Sequence, residues 1–225
     1  MLVYATSLQQ KRFVFEMIEA QGPNQYKKEL FLLTRHPVSE VRYEAVGLLS
    51  TVQSTPATIL APLLKDRAEL VRINALEAIA TLRRKSLAPQ VILLFRTDPS
   101  YLVRSAAADA FPSILPKWKG QNVLEQRLGL EKNKRAKLAI EAALLSFDPT
   151  RSLQFIVQYL SSQNYRIRCA SVNYLLDLAP QESYAELQKI FRKALTDEKA
   201  PAVRSTLSNA LKNLKSVPSR ARAKP

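Results

Sequence analysis

A five-residue mark, Val-Arg-x-x-Ala, recurs along this chain and restricts what it can fold into. It stands at Val41-Arg42-Tyr43-Glu44-Ala45, at Val71-Arg72-Ile73-Asn74-Ala75 and at Val103-Arg104-Ser105-Ala106-Ala107. Looser copies follow at Ala136-Lys137-Leu138-Ala139-Ile140, Ile167-Arg168-Cys169-Ala170-Ser171 and Val203-Arg204-Ser205-Thr206-Leu207. The basic residue steps through 42, 72, 104, 137, 168 and 204, at intervals of 30, 32, 33, 31 and 36. A period of this size is the signature of a stacked array of supersecondary units. Around the first mark, Val41, Ala45, Leu48, Leu49 and Val52 fall on one face at 3.6 residues per turn, so the mark belongs to a helix.

Apolar periodicity predicts two helices per unit, A then B, at about 24–34 and 39–53, 56–65 and 68–84, 87–96 and 100–115, 121–131 and 133–147, 150–161 and 164–178, and 182–196 and 200–214. A further helix over about 6–21 precedes them and ends at Gly22-Pro23-Asn24. With 4 Gly in 225 residues, a turn-rich β fold is excluded. Pro37, Pro56, Pro99, Pro149 and Pro201 stand at joints, where proline fits a loop or a first helical turn. Pro112 falls inside a helical pattern and predicts a kink or an early end. Each pair has an apolar face that only its neighbours can cover. The expected fold class is therefore all-α: a right-handed α-solenoid of about six helix pairs with an extra N-terminal helix. It should form one domain over 1–215, followed by a disordered basic tail at 216–225.

Six residues before each basic mark lies a polar group: His36, Asp66, Asp98, Glu131, Ser162 and Glu198, the last beside Asp197. A side chain there can accept from the free N–H groups of helix B and pair with an arginine. Arg42, Arg72, Arg104, Arg168 and Arg204, with Asp66 and Asp98, read as a structural ladder. A ladder must repeat, whereas a ligand site would be local. On these residues the chain resembles HEAT-like repeats, in particular the short kind of the phycobilin lyases, over roughly 24–214. The resemblance implies a scaffold that binds a protein partner. It also implies that nucleic acid or a chromophore is bound by some members.

Placed on this register, the inner face of the B helices is small, polar and mildly acidic. Glu44, Asn74, Glu77, Asp109, Asn173 and Asp177 are its candidate partner contacts. It holds no Lys or Arg in these columns, although the chain carries 34 basic and 19 acidic residues, a net charge of +15. The cations gather elsewhere: Arg83, Arg84 and Lys85, Lys117 and Lys119, and Lys134 and Arg135. Such clusters suit either a solvated surface or an edge that binds a polyanion. The second reading makes the chain a nucleic-acid binder. DNA glycosylase activity of the HEAT-like kind is disfavoured, because Asp109 lacks aromatic neighbours at helical spacing and Trp118 falls in a B-to-A loop. A bilin lyase would rest on the resemblance alone.

The sequence contains no Gly-rich phosphate loop, no paired-Cys motif and no nucleophile elbow. His36 is the sole histidine and Cys169 the sole cysteine, so no metal site or disulfide is expected. Neither a signal peptide nor an apolar run of membrane-spanning length is present. A cytoplasmic, non-enzymatic protein without cofactor is the expectation.

Overall fold

The computed structural model describes residues 8–149, 151 and 153–216, and among these every regular element is a helix. The chain divides into two compact units, residues 1–127 and 128–225. The repeat period by itself gives no break at this point. The basic tail expected at 216–225 lies outside the described residues, apart from Ser216.

The first unit opens with α1 (Leu8–Gln21) and α2 (Lys27–Leu33). Next come α3 (Ser39–Leu49), α4 (Ala57–Leu60), α5 (Glu69–Thr81), α6 (Ala88–Thr97) and α7 (Tyr101–Ile114), and α8 (Lys117–Leu128) closes it. The B helices α3, α5 and α7 pack side by side in sequence order. The A elements cover them on one side: α2 against α3, the 3-10 segment Ala61–Lys65 against α5, and α6 against α7. Pro62, which has no N–H to donate, accounts for the break of the second A helix into α4 and that 3-10 segment.

The Val and Ala of each mark are buried, because a spacing of four puts them on one stripe. Val41, Ala45, Val71, Ala75, Val103 and Ala107 are at most 2% exposed. Phe95 of α6 meets Phe111 of α7 edge-on at 5.0 Å. Phe15 and Ile18 of α1 join Leu30, Val41, Leu49 and Val52 in one cluster, so α1 covers the open end of the first pair. Each fully buried Leu, Ile, Val or Phe here contributes roughly 1.5–3 kcal/mol.

The second unit contains α9 (Lys134–Phe147), α10 (Gln154–Val157), α11 (Tyr165–Leu178), α12 (Tyr184–Asp197) and α13 (Pro201–Ser216). Its B helices α9, α11 and α13 again neighbour each other in order, and α12 packs on α13. The core includes Leu138, Leu145, Leu175, Leu187, Phe191 and Leu207.

Three local expectations are corrected. Helix α7 does not end at Pro112 but runs on to Ile114. A proline so near the C-terminus withholds a donor from a single carbonyl, and the N–H of Leu115 still reaches the Phe111 carbonyl. Lys117, Trp118 and Lys119 do not lie in a B-to-A loop ahead of a helix that starts near 121. Pro116 starts α8 early by accepting from the N–H groups of Lys119 and Gly120, so these three residues form its first turn. Finally, the repeat register puts Ala139 and Ala142 of the fourth mark in the same inner-face columns as Glu44, Asn74, Glu77 and Asp109, but both are buried. The run from Leu138 to Leu145 is apolar almost all round, and a helix with that pattern is enclosed.

Candidate interaction surface

The six A-to-B loops close in one way. The side chain six residues before the mark accepts from the backbone N–H two residues later. His36 Nδ1 accepts from Val38 at 3.1 Å, Asp66 Oδ1 from Ala68 at 2.8 Å and Asp98 Oδ1 from Ser100 at 2.9 Å. Glu131 Oε1 accepts from Asn133, Ser162 Oγ from Asn164 and Glu198 Oε1 from Ala200, at 2.9, 3.3 and 2.7 Å. Imidazole, carboxylate and hydroxyl are interchangeable here because the loop needs only an acceptor.

The arginine of the mark ties that loop to the next repeat. Arg42 Nη1 donates to the carbonyls of His36 and Pro37, while its Nε and Nη2 donate to Asp66 Oδ2 and Oδ1, both at 2.7 Å. Arg72 repeats the arrangement with the Asp66 carbonyl and the Asp98 carboxylate, at 2.9 and 3.0 Å for the two carboxylate bonds. Arg168 does so with the Ser162 carbonyl and the Glu198 carboxylate, at 2.7 and 2.8 Å. Arg104 and Arg204 make the same bond to the carbonyls of Asp98 and Glu198. Burial alone would raise the Asp66 pKa, but hydrogen bonds from Arg42 and the Ala68 N–H prevail and lower it. The hydrogen bond to Arg168 likewise lowers Glu198, against the cost of burial. Arg42 and Arg168 are raised in return, chiefly by the same hydrogen bonds.

With their N-terminal ends tied in this way, α3, α5 and α7 run parallel. Their outward face carries Glu44, Asn74, Glu77 and Asp109. Glu44, Glu77 and Asp109 are exposed, and half-buried Asn74 donates to the Tyr43 carbonyl at 3.1 Å, bridging α5 to α3. Glu77 is exposed as a residue, yet partial desolvation raises its pKa. In the second unit, Asn173 and Asp177 are exposed on α11.

The basic residues divide sharply. Arg83, Lys85, Lys117 and Lys119 are exposed. Arg84 is not a free surface cation. Its guanidinium donates to the carbonyls of Thr55, Leu82 and Gln53, clamping the preceding B-to-A loop. Lys134 is exposed at the start of α9, while Arg135 donates to the Tyr174 hydroxyl at 3.2 Å and stacks 5.4 Å from that ring. Lys134 and Arg135 belong to the second unit and the other five residues to the first.

Residues 28–112 match the family model for HEAT repeats. No curated protein matches the chain. Among solved structures, it is similar to the complex of CpcE and CpcF of phycocyanin lyase from Nostoc sp. PCC7120, at 15% identity over 84% of this chain and 94% of that one, with a TM-score of 0.47. It is also similar to an archaeal HEAT-like repeats protein from Thermococcus onnurineus NA1, at 15% identity over 92% and 93% of the two chains, with a TM-score of 0.42. A designed armadillo repeat protein aligns at 16% identity over 83% and 98%, with a TM-score of 0.39. At these scores the likenesses say nothing of what this chain binds.

Two features of the helix pairs escape the period. One is the Arg84 clamp, which depends on Arg83 adopting a left-handed φ of 52° just beyond α5. The other is Glu141, buried within α9 and bonded to Arg151 at 3.1 Å. Desolvation raises the Glu141 pKa, and Arg151 opposes the rise. The signal in the sequence was a single acid in the otherwise apolar run from Leu138 to Leu145. Cys169 is half-buried and receives the Thr206 hydroxyl at 3.6 Å. Among the described residues, no group of His, Cys, Asp and Glu could hold a metal ion, and no helix is long and apolar enough to cross a membrane.

Proposed function

We propose that the chain is a cytoplasmic, non-enzymatic scaffold that grips a protein partner on the outward face of its B helices. The observation that carries this reading is the row Glu44, Glu77 and Asp109 on three consecutive parallel helices, with Asn74 bridging two of them. Packed helices lie about 8–10 Å apart, so the row offers carboxylates at a regular pitch. The chain is +15 overall, which makes this face its local exception. A partner segment bearing Lys or Arg is repelled by most of the surface and steered to the row. Asn173 and Asp177 on α11 give the second unit a polar contact of its own.

The experiment is capture of partners by the tagged protein and by the double variant Glu77→Arg/Asp109→Arg, with circular dichroism confirming that the variant is folded. Proteins retained by the wild type and lost by the variant support the face. Unchanged retention removes it.

A further inference from the structure

We infer that the B-to-A edge of the first unit binds single-stranded nucleic acid, with Trp118 as the stacking platform and Arg83, Lys85, Lys117 and Lys119 on the phosphates. This site is separate from the acidic row and does not depend on it.

Acidic residues are missing from one edge of the first unit. Between Ala45 and Lys65, between Ala78 and Thr97, and between Ala110 and Leu124, the chain has no Asp or Glu. Those stretches hold the C-terminal ends of α3, α5 and α7 and the turns that follow them. Because the three helices are parallel neighbours, the turns share one edge, where the turn after α5 brings Arg83 and Lys85 and the start of α8, just past the end of α7, brings Lys117 and Lys119. The opposite, A-to-B edge carries the buried carboxylates Asp66 and Asp98. That edge mixes signs, since Arg42 and Arg72 pair those carboxylates and Lys65 and Arg67 stand exposed beside Asp66, whereas the turns after α5 and α7 carry cations and no carboxylate.

The second observation is Trp118, the sole tryptophan, which is 72% exposed in the first turn of α8 and flanked by exposed Lys117 and Lys119. Leaving so large an apolar ring in water is costly, and a helix N-terminus adds positive potential beside it. Alternating cation and aromatic is what a single strand needs: phosphates meet charge while a base meets the ring. A duplex keeps its bases inside the stack and has nothing to offer the indole. An anionic membrane fits less well, since interfacial binding needs an apolar face of several residues. Here the residues beside Trp118 are lysines, and Gly120 and Leu115 are buried. The Arg84 clamp contributes by position. By fastening the turn to the Thr55 and Gln53 carbonyls, it fixes the backbone from which Arg83 and Lys85 project.

Being unique, Trp118 reports on its own site. The full chain is titrated with a single-stranded oligonucleotide, a duplex of the same sequence and anionic vesicles, and indole emission is followed across salt concentrations. The expected result is quenching by the single strand, with log affinity falling against log salt at a slope of about −3, from four phosphate contacts. Lys117→Ala/Lys119→Ala should roughly halve that slope. With a labelled oligonucleotide, Trp118→Ala should weaken binding by roughly ten- to hundred-fold, and Trp118→Phe should restore most of it. Quenching that persists in Glu77→Arg/Asp109→Arg separates this edge from the partner face. A response to vesicles but not to the single strand, equal binding of duplex and single strand, or no change in emission with either overturns the proposal.

Discussion

Removing the Asp66 carboxylate tests how the first unit is held together. Arg42 makes four hydrogen bonds, two to Asp66 at 2.7 Å and two to the carbonyls of His36 and Pro37 at 2.8 and 3.0 Å. Both side chains are about nine-tenths enclosed, with relative exposures of 8% and 10%. Asp66→Ala leaves a guanidinium buried without its counter-charge, which costs about 3–5 kcal/mol. The two carbonyls that Arg42 keeps hold the figure towards the lower end. Loss of the acceptor for the Ala68 N–H adds about 1 kcal/mol. A net destabilisation of about 3–5 kcal/mol corresponds to a fall in Tm on the order of 10 °C. Arg42→Ala should cost a similar amount, while Arg42→Ala/Asp66→Ala should cost clearly less than the sum, because neither partner is then stranded. The assay is urea unfolding at neutral pH followed by far-ultraviolet circular dichroism, with constant slope in denaturant as the check on two-state behaviour. Arg12→Ala is the control. It breaks an exposed pair with Glu16, whose side chains are 81% and 60% accessible, and should change stability little. If Asp66→Ala proves as mild as Arg12→Ala, or if the two ladder variants are simply additive, the ladder does not hold the repeats together.

Further outcomes follow from the same geometry. Asp66 and Glu198 have pKa values lowered in the folded chain, so the unfolded chain binds more protons in the acid range. Their contribution is complete above the ordinary carboxylate range and is lost as pH falls through the folded values; Asp66→Asn should flatten that acid limb in a pH series of denaturation midpoints. Arg83 ends α5 with a left-handed φ of 52°, and the N–H groups of Arg83 and Arg84 return to the Ala80 and Ile79 carbonyls. That is a position glycine favours, so Arg83→Gly should stabilise by about 1 kcal/mol in urea melts. Arg84→Ala should instead destabilise by about 1–3 kcal/mol in the same melts, because it strands the carbonyls of Thr55 and Gln53.

Much of the architecture was legible because one spacing fixes several things at once. A Val and an Ala four apart, recurring near every thirty residues, define the buried stripe, the helix and its neighbours together. The loop acceptors were legible for the same reason, even where His36 or Ser162 replaces a carboxylate. What escaped was what depends on tertiary contact. Nothing in Arg83-Arg84-Lys85 distinguishes the middle cation, yet the left-handed turn sends Arg84 back onto the preceding loop and leaves its neighbours in solvent. Pro116 moved the start of α8 forward, carrying Trp118 from a predicted loop onto a helix. In α9 the register was right, but the polar columns are filled by alanines, and alanine reads as either small and open or small and enclosed.

The most direct test of the account is a distance. Spin labels at Glu44→Cys and Asp109→Cys, in a Cys169→Ser background, bracket three consecutive B helices. Double electron–electron resonance should give one narrow distribution corresponding to about two helix spacings, ~20 Å between the backbones. A broad distribution, or one centred at twice that separation, would mean that the marked helices do not lie side by side and that the acidic row does not exist as a surface.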